Sequence, residues 1–295
     1  MRCDVLIIGC GAAGLQAAIH AARKKTKVTV IGKPESSALW KAHIDNYLGI
    51  SSIEGKEMLR IGLEQAKDLG VELVPEEAIS MKRTEHGFMV KTETMKELEC
   101  KALVMATGIS RNKLNVPGEK EFHGMGVSYC ANCDCHFFKK KSVAIVGNGS
   151  NAAVASLLLK EYATTVYWVS QERKAAKELI DKALANGVQM IDGWPSKIAG
   201  DQVVKGLELV GGRSLTVDGV FIELGAKGAA DMALEINLIA DEAGMLPVDA
   251  KCKTEVEGVY ACGDITGQPW QVARAVGQGC VAGLEAASYV RKEKE

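Results

Sequence analysis

Three of the nine cysteines stand within six residues, in Cys130-Ala-Asn-Cys133-Asp134-Cys135. Two thiols separated by two residues close a small disulfide ring within one turn. Such a pair suits the uptake and release of two electrons. The same spacing opens many zinc sites, so spacing alone decides nothing. A four-thiolate zinc site brings a second Cys-x-x-Cys downstream. Here the other six, Cys3, Cys10, Cys100, Cys252, Cys262 and Cys280, stand singly. Redox chemistry is therefore the favoured reading, with no metal ligand expected. Zinc on Cys130, Cys133 and Cys135 is the alternative.

A redox pair needs a partner that handles electrons, and the chain start offers a place for one. Val5-Leu-Ile-Ile8 reads as a strand buried on both faces. Gly9-Cys-Gly11-Ala12-Ala13-Gly14 follows at once, then a helical run to Arg23 and a second strand, Lys27 to Ile31. This is strand, Gly-x-Gly-x-x-Gly, helix, strand. The glycines let the backbone approach a pyrophosphate at the helix N-terminus. The acid expected at the end of the second strand is missing, since Gly32-Lys33 stands there. Two later stretches end strands in small turns: Ala102 to Thr107-Gly108, and Gly258 to Gly263-Asp264 before a helical run from Gln271 to Lys292. At the second of these, Asp264 is placed to accept a ribitol hydroxyl or simply to cap the helix.

The pattern then repeats. Ser142 to Val146 is a strand, Gly147-Asn-Gly149-Ser-Asn-Ala152 a second glycine turn, Ala153 to Tyr162 a helix and Thr165 to Val169 the next strand. Its obvious ligand is a nicotinamide cofactor. A 2′-phosphate needs basic groups after the last strand, and the chain offers Ser170-Gln171-Glu172-Arg173-Lys174. Both readings stay open here: a working site, or a fold kept without a nucleotide.

Length and composition set the frame. The chain has 295 residues, which suggests two domains, and 47% hydrophobic residues, enough for buried cores. A net charge of −1 gives no pull toward nucleic acid, and no unbroken apolar run is long enough for a membrane span. The first eight residues lack a signal peptide's basic start and cleavage site. Isolated cysteines in apolar surroundings fit a reducing compartment, so a cytoplasmic protein is expected.

The three motifs in this order resemble the FAD domain of the two-dinucleotide-fold flavoprotein disulfide reductases. The order of FAD half, Cys-x-x-Cys-Asp, second fold and FAD return resembles the low-molecular-weight thioredoxin reductases over essentially the whole chain. That resemblance implies an α/β protein with two Rossmann-like domains, the second inserted in the first. An FAD-binding domain would comprise residues 1–113 and 245–295, and the inserted domain residues 116–242. It implies a homodimer in which Cys133 faces the flavin, Cys130 attacks a thioredoxin-like disulfide and Asp134 supplies the proton. Gly9, Gly11, Ala12, Ala13, Gly14, Asn46, Thr107, Gly108, Gly263, Asp264, Trp270, Gln271 and Val272 would hold FAD. Trp270 replaces an arginine of the family and suggests an aromatic wall beside the flavin.

The departures narrow the resemblance. The family's His-Arg-Arg is replaced at Ser170-Gln171-Glu172, its Gly-Gly-Gln by the Ser36 to His43 region, and its Gly-His-x-Pro-Asn by Gly225-Ala-Lys-Gly228. These losses are similar to the pyridine-nucleotide-independent enzymes fed by ferredoxin or reduced deazaflavin. An NADH- or NADPH-dependent reductase, an oxygen-using dithiol oxidase and a non-catalytic flavin redox sensor are the alternatives. The Cys135 thiol reads as a buried small residue or as a third redox thiol. Both His136 and His43 read as packing residues or flavin-side groups, and Trp40 as core or a ring shield. Gly124, Gly126 and Gly244 are candidate hinges. Lys139-Lys140-Lys141 is a solvated run or a basic docking patch.

Overall fold

The computed structural model describes residues 1–109, 113–224, 229–241 and 244–292, save the side chains of Cys133 and Ala229. The chain forms two compact units, residues 1–109 with 228–295, and residues 110–227.

The first unit is built on a five-stranded parallel sheet. Its order is Val259–Ala261, Ala102–Met105, Val5–Ile8, Val28–Ile31, Glu72–Val74. Mostly apolar runs form these strands because both faces of the sheet are covered. Val5 and Ile7 face a layer containing helices Ala12–Arg23, Gly55–Asp68 and Val272–Lys292. Leu6 and Ile8 face the other way, onto the antiparallel strands Ala78–Thr84, Gly87–Thr92 and Glu97–Cys100. The helix Val272–Lys292 packs its glycines on the first helix. A Cβ on Gly279 or Gly283 would stand 2.3 or 2.2 Å from the carbonyl oxygen of Ala13 or Ala17.

The second unit repeats the plan. Its parallel sheet runs Val127–Ser128, Gly219–Ile222, Ser142–Val146, Thr165–Ser170, Gln189–Asp192. Val143, Ile145 and Trp168 face helices Ser150–Lys160 and Lys177–Ala185. Ala144, Val146 and Val169 face the antiparallel strands Pro195–Gly200, Val204–Leu209 and Ser214–Thr216. The α/β architecture with two dinucleotide-type folds thus matches the sequence reading, and so do the strand–turn–helix segments within a few residues.

Two details differ from expectation. The chain returns to the first unit at residue 228, earlier than residue 245. The cause is apolar: Met232, Ala233, Ile236 and Leu238 bury into the first unit's core. Consequently Gly244 lies inside the first unit, and Gly124 and Gly126 inside the second, so none of these candidate hinges marks a junction. The replaced Gly225-to-Gly228 motif lies outside the described residues.

Glu76 ties down the antiparallel layer of the first unit. It accepts hydrogen bonds from Lys96 Nζ and, at 2.7 Å, from Thr94 Oγ1. Burial alone would raise its carboxyl, but these donors outweigh it and hold the pKa at about 2, against an ordinary 4.5. A depressed carboxylate contributes stability above its unfolded pKa and loses it as pH falls toward the folded one. Glu76→Gln is therefore expected to cost about 1–2 kcal/mol at pH 7 and far less at pH 2. Urea unfolding of both proteins across pH 2–7 checks this. A constant difference over that range rules it out.

Candidate functional site

In the first unit, the glycine turn is built by exclusion. A Cβ on Gly14 would fall 1.8 Å from the Gly9 carbonyl oxygen, and one on Gly9 2.2 Å from that of Ala106. Gly9 also has φ +111°, a conformation that side chains disfavour. The helix Ala12–Arg23 begins at Gly11 with no side-chain cap and no acid in its first turn. Its leading N–H groups and positive dipole end are thereby left to an anionic ligand. The Ser37 hydroxyl lies over the turn, 3.1 Å from where a Cβ of Gly11 would be.

Gly263, at φ +82°, abuts the same helix: its Cβ would stand 2.8 Å from Ala13 Cβ. Asp264 follows, half-buried, and that burial raises its pKa while Arg274 opposes the rise. Sequence reasoning missed two residues that shape this turn. Arg274 donates to the carbonyls of Gly267 at 2.6 Å and Gly263 at 3.3 Å, and to Thr266 Oγ1 at 2.9 Å. Gln278 Oε1 accepts from the Gly263 N–H and Thr266 Oγ1, both at 2.9 Å. Their spacing of four on one helix face was the available signal. Asn46 and Gln271 come together, Nδ2 donating to Oε1 at 3.0 Å. Thr107 and Gly108 follow the strand Ala102–Met105, beside Gly9. Trp270 is 49% exposed, just before Val272 opens the last helix.

At the end of the second strand Lys33 replaces the expected acid. Its ammonium pairs with the buried Glu93 at 2.5 Å. His43 is engaged on an exposed hairpin, with Nδ1 2.9 Å from Glu54 Oε1 and Nε2 3.2 Å from Ser52 Oγ. Trp40 is 37% exposed rather than core. A tight glycine cradle, an uncapped helix start and a desolvated carboxylate fit a dinucleotide such as FAD.

In the second unit, the redox turn hangs from the edge strand Val127–Ser128. Ser128 Oγ accepts the Cys130 N–H at 3.0 Å. Tyr129 donates its hydroxyl to Glu119 Oε1 at 2.7 Å, and this 2%-exposed carboxylate also accepts the N–H groups of Leu114 and Asn115. The Asp134 N–H bonds the Cys130 carbonyl at 3.2 Å, closing one turn of the helix Ala131–Asp134. Cys130 is disulfide-bonded, a state that a zinc thiolate cannot share. The Cys133 side chain lies outside the described residues. Asp134 is half-buried at the end of this turn.

Cys135 takes the plain role. It is 5% exposed, reduced, and packed with Phe138 and Phe221. His136 is exposed and stacks on Phe137 at 4.0 Å. The three lysines 139–141 are exposed, with Lys141 5.5 Å over the Phe138 ring.

The second glycine turn is also half-buried and its helix also starts without a side-chain cap, and it is bonded to the segment after the strand Thr165–Ser170. Lys174 N–H donates to the Asn148 carbonyl at 2.7 Å, Ala176 N–H to Ser150 Oγ at 3.1 Å, and Ser170 Oγ to Asn148 Oδ1 at 2.8 Å. Arg173 turns inward, its guanidinium on Asp192 at 2.6 Å and on the Trp168 carbonyl at 3.2 Å. Lys174 pairs with Glu172 at 3.2 Å.

Five other thiols are held against ionising. Burial pushes Cys3 up to about 11 and Cys10 to about 12, and raises Cys100, Cys252 and Cys262 as well. No cluster of three metal-binding side chains occurs among the described residues, nor a helix long and apolar enough to cross a membrane.

Known proteins share this design. Residues 3–279 match the pyridine nucleotide-disulphide oxidoreductase family. A thioredoxin reductase of Listeria innocua is 33% identical, over 99% of this chain and 95% of that protein. The atypical thioredoxin reductase TRi from Desulfovibrio vulgaris Hildenborough superposes with a TM-score of 0.86 at 30% identity, covering 99% of each chain. A ferredoxin-flavin thioredoxin reductase from Clostridium acetobutylicum gives 0.71 at 32% identity, covering 100% of this chain and 99% of that one. The chain belongs to the pyridine nucleotide-disulphide oxidoreductase family and, within it, to the low-molecular-weight thioredoxin reductases, oxidoreductases that carry FAD.

Proposed function

We propose that this enzyme reduces the disulfide of a thioredoxin-like protein through Cys130 and Cys133, with electrons from ferredoxin or a reduced deazaflavin rather than from NADPH. The observation that carries the donor reading is the bonding of the second glycine turn. Its segment Ser170 to Ala176 bonds back onto Asn148 and Ser150. Two nitrogens of the Arg173 guanidinium are engaged by Asp192 and the Trp168 carbonyl, with a side chain only 16% exposed. Desolvating a phosphate against paired charges gains little. Similarity to the ferredoxin-flavin thioredoxin reductase from Clostridium acetobutylicum supports the same donor.

When bound, FAD supplies the two-electron chemistry. The residues proposed to hold it are Gly9, Gly11, Ala12, Ala13, Gly14, Asn46, Thr107, Gly108, Gly263, Asp264, Trp270, Gln271 and Val272. The protein's own steps are thiol chemistry. Cys130 as thiolate attacks the partner disulfide, forming a mixed disulfide and releasing one partner thiolate. Cys133 attacks Cys130 Sγ, re-forming the internal disulfide and releasing the second partner thiolate. Asp134 is the proposed source of the proton that the departing thiolate takes up. A homodimer in the cytoplasm is part of the same proposal.

The second reading is an NADPH- or NADH-fed enzyme, favoured by the intact Gly147-x-Gly149 and by relatives named simply thioredoxin reductase. Anaerobic bleaching of bound flavin separates the two. Ferredoxin or deazaflavin is expected to bleach it rapidly, with both nicotinamides inert. Rapid bleaching by NADPH or NADH makes Gly147 to Ala152 a working site and removes the donor proposal.

A further inference from the structure

Glu223 closes the strand Gly219–Ile222 and is 6% exposed. Its carboxylate is shared between two turns. Oε1 accepts the N–H of Ala131, the residue after Cys130, at 3.2 Å. Oε2 accepts Nδ2 of Asn151, itself 7% exposed, at 2.5 Å. Asn151 stands in the first turn of the helix that follows the second glycine turn. The backbone of Glu223 is seated there too. Its N–H bonds the Val146 carbonyl at 2.8 Å, and its own carbonyl oxygen would be 2.2 Å from any Cβ on Gly147.

The close approach of Glu223 forbids a side chain at residue 147, as that of Ala106 does at residue 9. A charge-assisted bond from Ala131 N–H fixes the peptide plane that joins it to Cys130. We propose that Glu223 is a positioning residue for Cys130, and that the second glycine turn is retained as the seat of the redox turn. The inference rests on Cys130 being the reacting thiol, but not on which donor feeds the enzyme.

An ionised Glu223 is part of the proposal, and its charge has a second effect. It opposes a thiolate on the neighbouring residue and so disfavours the reduced form. The reaction to follow is Cys130 disulfide plus two glutathione thiols giving two enzyme thiols plus glutathione disulfide. Glu223→Gln keeps an acceptor for Ala131 N–H and removes the charge. Its equilibrium constant for reduction is expected to rise about tenfold, ~30 mV for a two-electron couple, with most of the turnover retained. Glu223→Ala removes the acceptor as well, and kcat for disulfide reduction is expected to fall about 100-fold with flavin content unchanged. Asn151→Ala removes one of the two anchors and is expected to fall between them.

An equilibrium within twofold of wild type in Glu223→Gln, or a shift toward the disulfide, overturns the proposal, whether or not Glu223→Ala folds. A Glu223→Ala enzyme with unchanged kcat overturns it equally. Failure of the underlying reading looks different: Cys130→Ser would then keep its disulfide reductase activity, whatever Glu223 does.

Discussion

Cys130→Ser is expected to lower disulfide reduction at least about 1,000-fold, because a hydroxyl is not ionised near neutral pH and cannot close a disulfide. The substitution changes one atom at a half-buried position. The N–H of residue 130 keeps its bond to Ser128 Oγ, and the Asp134 N–H keeps its bond to the carbonyl of residue 130. Fold and flavin content should therefore stay as they are, so the lost rate is chemical. Cys133→Ser makes the complementary case. It leaves Cys130 free to attack and nothing to resolve the product, so a covalent adduct with a thioredoxin-like substrate should accumulate and be visible by mass spectrometry. Activity within tenfold of wild type in Cys130→Ser sinks the assignment. Trapping by Cys130→Ser rather than Cys133→Ser reverses the two roles.

Gly14→Ala is expected to yield protein that has lost its flavin. The new methyl would sit 1.8 Å from the Gly9 carbonyl oxygen, and a Cβ on Gly9 would itself stand 2.2 Å from the Ala106 oxygen. Neither carbonyl can retreat easily, since Ile8 and Met105 are paired in adjacent strands. The helix must lift from the sheet, a strain of roughly 1–3 kcal/mol or more. Its N–H groups move from the pyrophosphate position with it. FAD affinity should fall at least about 100-fold, equivalent to about 2.7 kcal/mol, read from bound flavin after dialysis. Gly277→Ala is the control. It lies in the last helix with nothing within 4 Å of its Cβ, so it should keep its flavin and gain stability of up to ~1 kcal/mol. Full flavin occupancy in Gly14→Ala contradicts the site.

The sequence was legible where one short stretch carries the whole signal. Val5–Ile8 and Ser142–Val146 are buried on both faces, so they read as unbroken apolar runs. The glycine turns follow from their spacing alone. Other features depend on distant neighbours. Met232 to Leu238 look like the end of the inserted domain and become core only against strands far away in the chain. Arg274 and Gln278 look like helix surface until the Gly263–Gly267 turn meets them. The sequence left Arg173 and Lys174 open as phosphate ligands, and the bonds of Arg173 to Asp192 and to the Trp168 carbonyl depend on a strand and a loop apart from it in the chain. Glu119 and Glu223 gave no local sign, because each acts on the redox turn from a separate segment.

The buried spare thiols have a consequence for traffic. An enzyme that exchanges disulfides for a living is exposed to its own chemistry, since any ionised sulfur within reach of an oxidised partner is a wrong destination. Exchange needs thiolate, and the fraction of thiolate falls tenfold for each unit by which a pKa stands above ambient pH. With Cys3 near 11 and Cys10 near 12, and Cys100, Cys252 and Cys262 also raised, these five sulfurs are silent at neutral pH. The fold thus insulates these five positions, so that a partner disulfide exchanges slowly with them.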